Sequence, residues 1–152
     1  MPGHAPLPYG ETSERPPFRF SAVTRVGFDE TDAQGVVYYG RYMPYFDRAR
    51  VEYLRRLDLL GARPGAFREF VMRANHVEYH APAMFDDLLE VFVRVSRLGR
   101  TSVTWEYAAV RERDGVLLCT AEQTLVQIDV ATRTPAPLDD DLRARLTAAE
   151  AA

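Results

Sequence analysis

Two carboxylates and a turn-forming glycine stand close together in the run Asp29-Glu30-Thr31-Asp32-Ala33-Gln34-Gly35-Val36-Val37-Tyr38-Tyr39-Gly40-Arg41-Tyr42. The residues before it, Phe20 to Phe28, mix apolar and polar positions as a half-buried strand does, and those after Arg41 switch to helical spacing. A carboxylate at such a junction sits beside backbone amides that a helix N-terminus leaves unpaired. That is one way to set a nucleophile or base next to an oxyanion site. On residue physics alone, Asp32 in a glycine-containing loop is more often an Asx turn or helix cap, and Asp29 is placed to cap the strand end. Elsewhere, His76, Glu78 and His80 alternate along one strand face, a spacing more typical of an exposed strand than of a metal centre. Cys119 has no His or acidic neighbour to activate it. Asp86 and Asp87 precede a strand and read as turn residues.

These groups must be held by elements, and the hydrophobic pattern supplies them. Met43, Phe46, Ala49, Tyr53, Leu54 and Leu57 recur every three or four residues, predicting one amphipathic helix that begins near Pro44. Its other face, Asp47, Arg48, Arg50, Glu52, Arg55 and Arg56, reads as solvated, with Glu52 and Arg56 spaced as an ion pair. Gly61 and Arg63-Pro64-Gly65 are expected to end the helix. Four strands follow, at about Phe70 to His80, Leu88 to Leu98, Thr101 to Arg113 and Val116 to Val130, with Asp114-Gly115 as a hairpin turn. Residues 1–17, with Pro2, Pro6, Pro8, Pro16 and Pro17, read as a flexible arm, and residues 138–152 as a tail with a short exposed helix. One strand, a helix and four strands suit an α+β domain over residues 18–137, an antiparallel sheet covering one helix. Its open edges predict pairing with a second copy.

Composition narrows the class. At 47% hydrophobic and 27% charged, the chain is an ordinary globular protein. A net charge of -3 gives no reason to expect a nucleic-acid surface, and no apolar run approaches a membrane span. All 19 basic residues are Arg. A single cysteine and no signal-like segment point to the cytoplasm.

The run from Asp29 to Tyr42 closely resembles the D-x-x-G-V-V-Y signature of hotdog-fold acyl-CoA thioesterases, in the group of 4-hydroxybenzoyl-CoA and Tol-Pal-associated thioesterases. The block Val77-Glu78-Tyr79-His80-Ala81-Pro82-Ala83-Met84-Phe85-Asp86-Asp87-Leu88-Leu89-Glu90-Val91 resembles the family's next landmark. The resemblance spans roughly residues 18–130. It implies a hotdog fold, here a five-stranded antiparallel sheet wrapped around one long helix, and hydrolysis of an acyl-CoA or aroyl-CoA to acid and CoA, with no metal or cofactor. It implies Asp32 as nucleophile or general base, the Tyr39 and Gly40 amides as oxyanion donors, and Gly35, Val36 and Val37 against the substrate. Arg97, Arg100, Thr101 and Ser102, in a loop between two strands, would supply donors for the CoA phosphates or form a polar hairpin. The family also implies a homodimer with a continuous sheet and active sites at its interface, paired further into a homotetramer. Tyr39 stands where many Tol-Pal-associated members have His, and Arg41 where many have Asn. A hotdog hydratase or dehydratase would call for His in the loop, which is absent, and a non-catalytic acyl-CoA-binding subunit would not need Asp32.

Overall fold

The computed structural model describes residues 9–60 and 69–151. Its strands are β1 (Tyr9–Glu11), β2 (Phe20–Arg25), β3 (Phe70–Tyr79), β4 (Leu88–Leu98), β5 (Ser102–Arg111) and β6 (Leu117–Gln127). They form one antiparallel sheet in the order β1-β2-β4-β5-β6-β3. The sheet therefore has six strands, not five. The extra one lies inside the expected flexible arm, where Tyr9 to Glu11 pair with Ala22 to Phe20. Just past the arm, Phe18 packs its ring 5.9 Å from Phe92 on the outer face of the sheet. Proline spacing hid both contacts, because a three-residue edge strand leaves almost no periodicity to read.

Helix α1 (Tyr42–Arg56) buries Tyr42, Tyr45, Phe46, Ala49 and Tyr53 against the inward-facing residues of the strands. On β4 these are Val91, Val93 and Val95, and on β5 Val103, Trp105 and Tyr107, which alternate as a pleated sheet requires. Pro44 sits in the first turn, where its missing N–H costs nothing. The helix stops earlier than glycine spacing predicted, and Gly61, Arg63, Pro64 and Gly65 lie outside the described residues. Asp58 takes a left-handed φ of 57°. Its N–H reaches Arg55 O at 3.0 Å, and Leu59 N–H reaches Leu54 O at 2.9 Å. This is a Schellman stop made with aspartate. On the exposed face Glu52 pairs with Arg55, while Arg56 turns to Glu11 of β1 at 3.8 Å, so the expected Glu52–Arg56 pair does not form. Arg50 is half-buried and not part of a solvated face.

The Asp114-Gly115 turn joins β5 and β6 with Gly115 at a φ of 71°, a conformation that favours glycine. The tail is not an exposed appendage. Helix α2 (Asp140–Ala151) buries Leu142 and Leu146, and Leu138 is buried just before it. Covering such a leucine contributes about 1.5–3 kcal/mol. Polar ties fix the same helix: Arg143 donates to Gly99 O at 2.7 Å, Arg145 to Leu57 O at 2.9 Å, and Tyr53 Oη to Glu150 at 2.5 Å.

Candidate active site

The loop between β2 and α1 is built from the backbone outward. Gly27 opens a 3₁₀ turn, Phe28–Glu30, and the Glu30 carboxylate turns back to accept the Gly27 N–H at 2.6 Å. Glu30 is therefore the capping carboxylate, where the sequence pointed to Asp29, which is exposed. The Glu30 carbonyl accepts Tyr38 N–H at 3.1 Å, so one buried residue ties both ends of the loop. Beside it the buried Tyr45 phenol is pushed up by burial first and by the Glu30 charge second.

Within this frame Asp32 forms a tight turn. Its N–H donates to Val36 O, its carbonyl accepts from Gly35, both at 2.9 Å, and its Oδ1 accepts from Gln34 N–H at 2.8 Å. Gly35 makes that turn possible with a φ of 79°. The Asx turn expected of an isolated aspartate is thus present. It uses only one carboxylate oxygen, and Oδ2 has no protein partner among the described residues. Val36 bridges to Met84, and Val37 donates to Ala83 O at 2.9 Å, which fastens the loop to the segment before β4. That segment is held by Asp87, which is buried, accepts Met84 N–H at 2.9 Å, and lies 3.5 Å from Arg113 and 3.7 Å from Arg111. Asp86 and Asp87 shape the turn before β4, as their position predicted. The sequence did not point to Arg111 as a support of the loop.

Tyr39 and Gly40 begin a second 3₁₀ turn, Tyr39–Arg41, that runs straight into α1. As the first residues of a helical segment their amides have no carbonyl behind them, and neither has an acceptor among the described residues. Tyr39 is 65% exposed, with its ring 5.1 Å from that of Tyr79. Tyr79 Oη donates to Tyr39 O at 3.2 Å, so the last residue of β3 positions this turn. Sequence spacing did not single out Tyr79, because the contact crosses from a distant strand. Tyr42 Oη accepts Ala83 N–H at 3.3 Å, and burial pushes that phenol up to about 12.

An exposed carboxylate and unpaired amides in one fastened loop suit attack on a carbonyl carbon. The other residues do not join them. His80 Nε2 bonds to Thr120 at 3.0 Å, and His76 lies 3.9 Å from Glu78. No group of three or more His, Cys, Asp or Glu able to hold a metal occurs among the described residues. Burial pushes the Cys119 thiol up to about 12, which leaves it protonated and inert at neutral pH. Arg97, Arg100, Thr101 and Ser102 lie in and beside the turn that joins β4 to β5, and both arginines are exposed. This turn is at the far end of the sheet from Asp32. With a rise of about 3.3 Å per residue along β4, the separation in one chain is roughly 30 Å. One copy of the chain therefore does not bring the two halves of the expected site together.

Comparison with known proteins bears on this geometry. The sequence model of the Thioesterase-like superfamily matches residues 26–146. The chain is 36% identical over 115 residues to the acyl-CoA thioester hydrolase YbgC of Escherichia coli O157:H7, covering 75% of this chain and 85% of that protein. It is 33% identical over 130 residues to the acyl-CoA thioesterase YbgC of Haemophilus influenzae, covering 82% and 92%. A crystal structure of a Thermus thermophilus thioesterase complexed with coenzyme A and Zn superposes with a TM-score of 0.72 at 29% identity, covering 86% of this chain and 95% of that one.

Proposed function

Because the chain belongs to the thioesterase-like superfamily, with a hotdog fold, we infer that it hydrolyses an acyl-CoA or aroyl-CoA thioester to the carboxylic acid and CoA. The observation that carries this reading is the Asp32 loop, which offers a carboxylate oxygen to solvent and runs on into the Tyr39 and Gly40 amides, left without an acceptor among the described residues. A thioester carbonyl seated on those amides gains hydrogen bonds as negative charge builds on its oxygen. Asp32 either takes a proton from a water that attacks the carbonyl carbon, or attacks that carbon itself to form an anhydride that water then hydrolyses, releasing the acid and restoring the carboxylate. In either case the C–S bond breaks, and the departing thiolate takes up a proton. Gly35, Val36 and Val37 form the loop surface nearest this chemistry. In this reading the Tyr39 side chain packs against Tyr79, and its backbone amide does the polarising.

The site is completed by a second copy. Strand β3 pairs with β6 on one side only, and most of its side chains are exposed, including Val71, Met72 and Tyr79. A ten-residue edge strand of this kind is an open template for a further strand. Pairing β3 antiparallel with β3 of another copy reverses the second sheet. Arg97 and Arg100 of the partner subunit then lie at the same end of the joined sheet as Asp32. Two guanidinium groups with the hydroxyls of Thr101 and Ser102 suit the CoA phosphates. Association of such dimers into a homotetramer rests on the resemblance alone. The single buried thiol suits the cytoplasm, and no described helix is long and apolar enough to cross a membrane.

The test is thiol release from a panel of acyl-CoA and aroyl-CoA substrates. Turnover of at least one supports the reading, and no turnover across the panel defeats it.

A further inference from the structure

Met43, Asp47, Arg50 and Leu54 lie in one narrow stripe of α1, because a helix turns about 100° per residue and these spacings return to the same side. The stripe starts within one turn of the Tyr39 and Gly40 amides and faces Gln123 of β6. The Met43 sulfur accepts from Asn75 Nδ2 at 3.3 Å and from Gln123 Nε2 at 3.5 Å. One level further, Arg50 donates to Gln123 Oε1 at 3.3 Å, to Tyr107 Oη at 3.1 Å and to Asp47 Oδ1 at 2.9 Å. Past Arg50 the stripe reaches a cavity of about 130 Å³ walled by Leu54, Trp105, Leu125, Leu142 and Leu146. Among the described residues Arg50 is the only charged one on its lining, and α2 closes its far side. The carboxylate and amides of the catalytic loop use none of these groups.

A cavity lined in this way offers water few partners and favours hydrocarbon. Resting on the acyl-CoA reading above, we propose that the stripe guides the substrate's acyl chain from the thioester carbonyl to this cavity, making the preferred substrate a long, straight-chain acyl-CoA. Distances set the length. From Gly40 to Arg50 the helix advances about 15 Å, and to Leu54 about 21 Å. An extended hydrocarbon with bonds of about 1.5 Å advances roughly 1.25 Å per carbon, so its methyl end passes Arg50 near C12 and reaches the cavity near C16. Met43 can yield to the chain because its thioether is unbranched and flexible. Arg50, held by Asp47, Tyr107 and Gln123, presents its methylene stem to the chain and keeps its charge at the rim.

Leu146 tests this, since it walls the cavity and lies far from Asp32. The measurement is kcat/KM across saturated acyl-CoA substrates from hexanoyl to stearoyl, for wild type, Leu146→Phe and Leu146→Ala. Wild type is expected to favour C14–C16 chains. Leu146→Phe, which fills the cavity, should lower kcat/KM for palmitoyl-CoA about tenfold or more and change that for hexanoyl-CoA by less than about twofold. Leu146→Ala should move the optimum to longer chains. Parallel changes across all lengths, or an unmoved optimum in both variants, overturn the assignment. If Leu146→Phe does not fold, the optimum of Leu146→Ala decides alone. A wild type that hydrolyses only short or aromatic thioesters also overturns it while leaving the thioesterase reading intact. A wild type inactive on every thioester defeats the parent reading instead.

Discussion

Replacing Asp32 by Asn separates catalysis from architecture. Asp32 Oδ1 receives the Gln34 N–H, and the Asp32 backbone bonds to Val36 and Gly35, so the residue also shapes its own loop. An asparagine amide oxygen accepts the same N–H, and stability should change by no more than about 0.5 kcal/mol, as for an ordinary surface substitution. Asp32→Ala removes the acceptor and should cost about 0.5–2 kcal/mol, as loss of a side-chain cap does. In a chain of this size each kcal/mol lowers Tm by about 2–4 °C. Catalysis responds on another scale. Asparagine neither attacks a carbonyl nor takes a proton from water, so kcat should fall about 10²–10⁴-fold in Asp32→Asn. That is about 2.7–5.4 kcal/mol of lost transition-state stabilisation, several times any change in folding. Thiol release and a thermal melt on the same samples read both quantities. An Asp32→Asn variant that keeps near wild-type kcat would show that the carboxylate is only a turn former, and the mechanism would fall.

Three further outcomes are expected. Arg97→Ala with Arg100→Ala should raise KM for acyl-CoA more than it lowers kcat, and added salt should weaken wild-type CoA binding; an unchanged KM returns this segment to a polar hairpin. Tyr39→Phe keeps the amide and the ring contact with Tyr79, so kcat should change less than about tenfold; a loss of about 10²–10³-fold in a folded variant would move the oxyanion role to the hydroxyl. Stability should fall in alkali. Burial pushes Tyr42, Tyr107 and Cys119 up to about 12 and raises Tyr45 and Tyr53 as well. The folded chain then holds protons that the unfolded chain releases above about pH 9–10, and each group removes about 1.4 kcal/mol per pH unit until its folded pKa is reached. Urea melts that are flat from pH 8 to pH 11 would contradict this.

The central helix and the strands after it were legible because they bury one face over many residues. Phe46, Ala49 and Tyr53 repeat often enough to fix a helix, and Asp114-Gly115 marks its hairpin unaided. The docking of α2 was hidden. Leu138, Leu142 and Leu146 are isolated among polar residues, and only the open end of the core gives them a place to be buried. The sequence placed a cap at Asp29 and missed Glu30, one residue on, because that register depends on where β2 ends. Asp32, Tyr39 and Gly40 are proposed from the motif, whereas Tyr79 and Asp87 hold the same loop through contacts that sequence spacing does not encode. The distance between Asp32 and Arg97 was equally invisible, because a linear pattern does not say which end of the sheet a loop occupies.

Subunit mixing tests most directly whether the site is shared between two copies. Asp32→Asn chains and Arg97→Ala/Arg100→Ala chains are each expected to be poor catalysts at substrate concentrations well below KM. Refolded together in equal amounts, about half of the dimers are mixed, and each mixed dimer holds one site with Asp32 from one chain and both arginines from the other. The account predicts recovery to about one quarter of wild-type kcat/KM on that basis. Activity no greater than the average of the two separate variants, in a sample shown to contain mixed dimers, would contradict it.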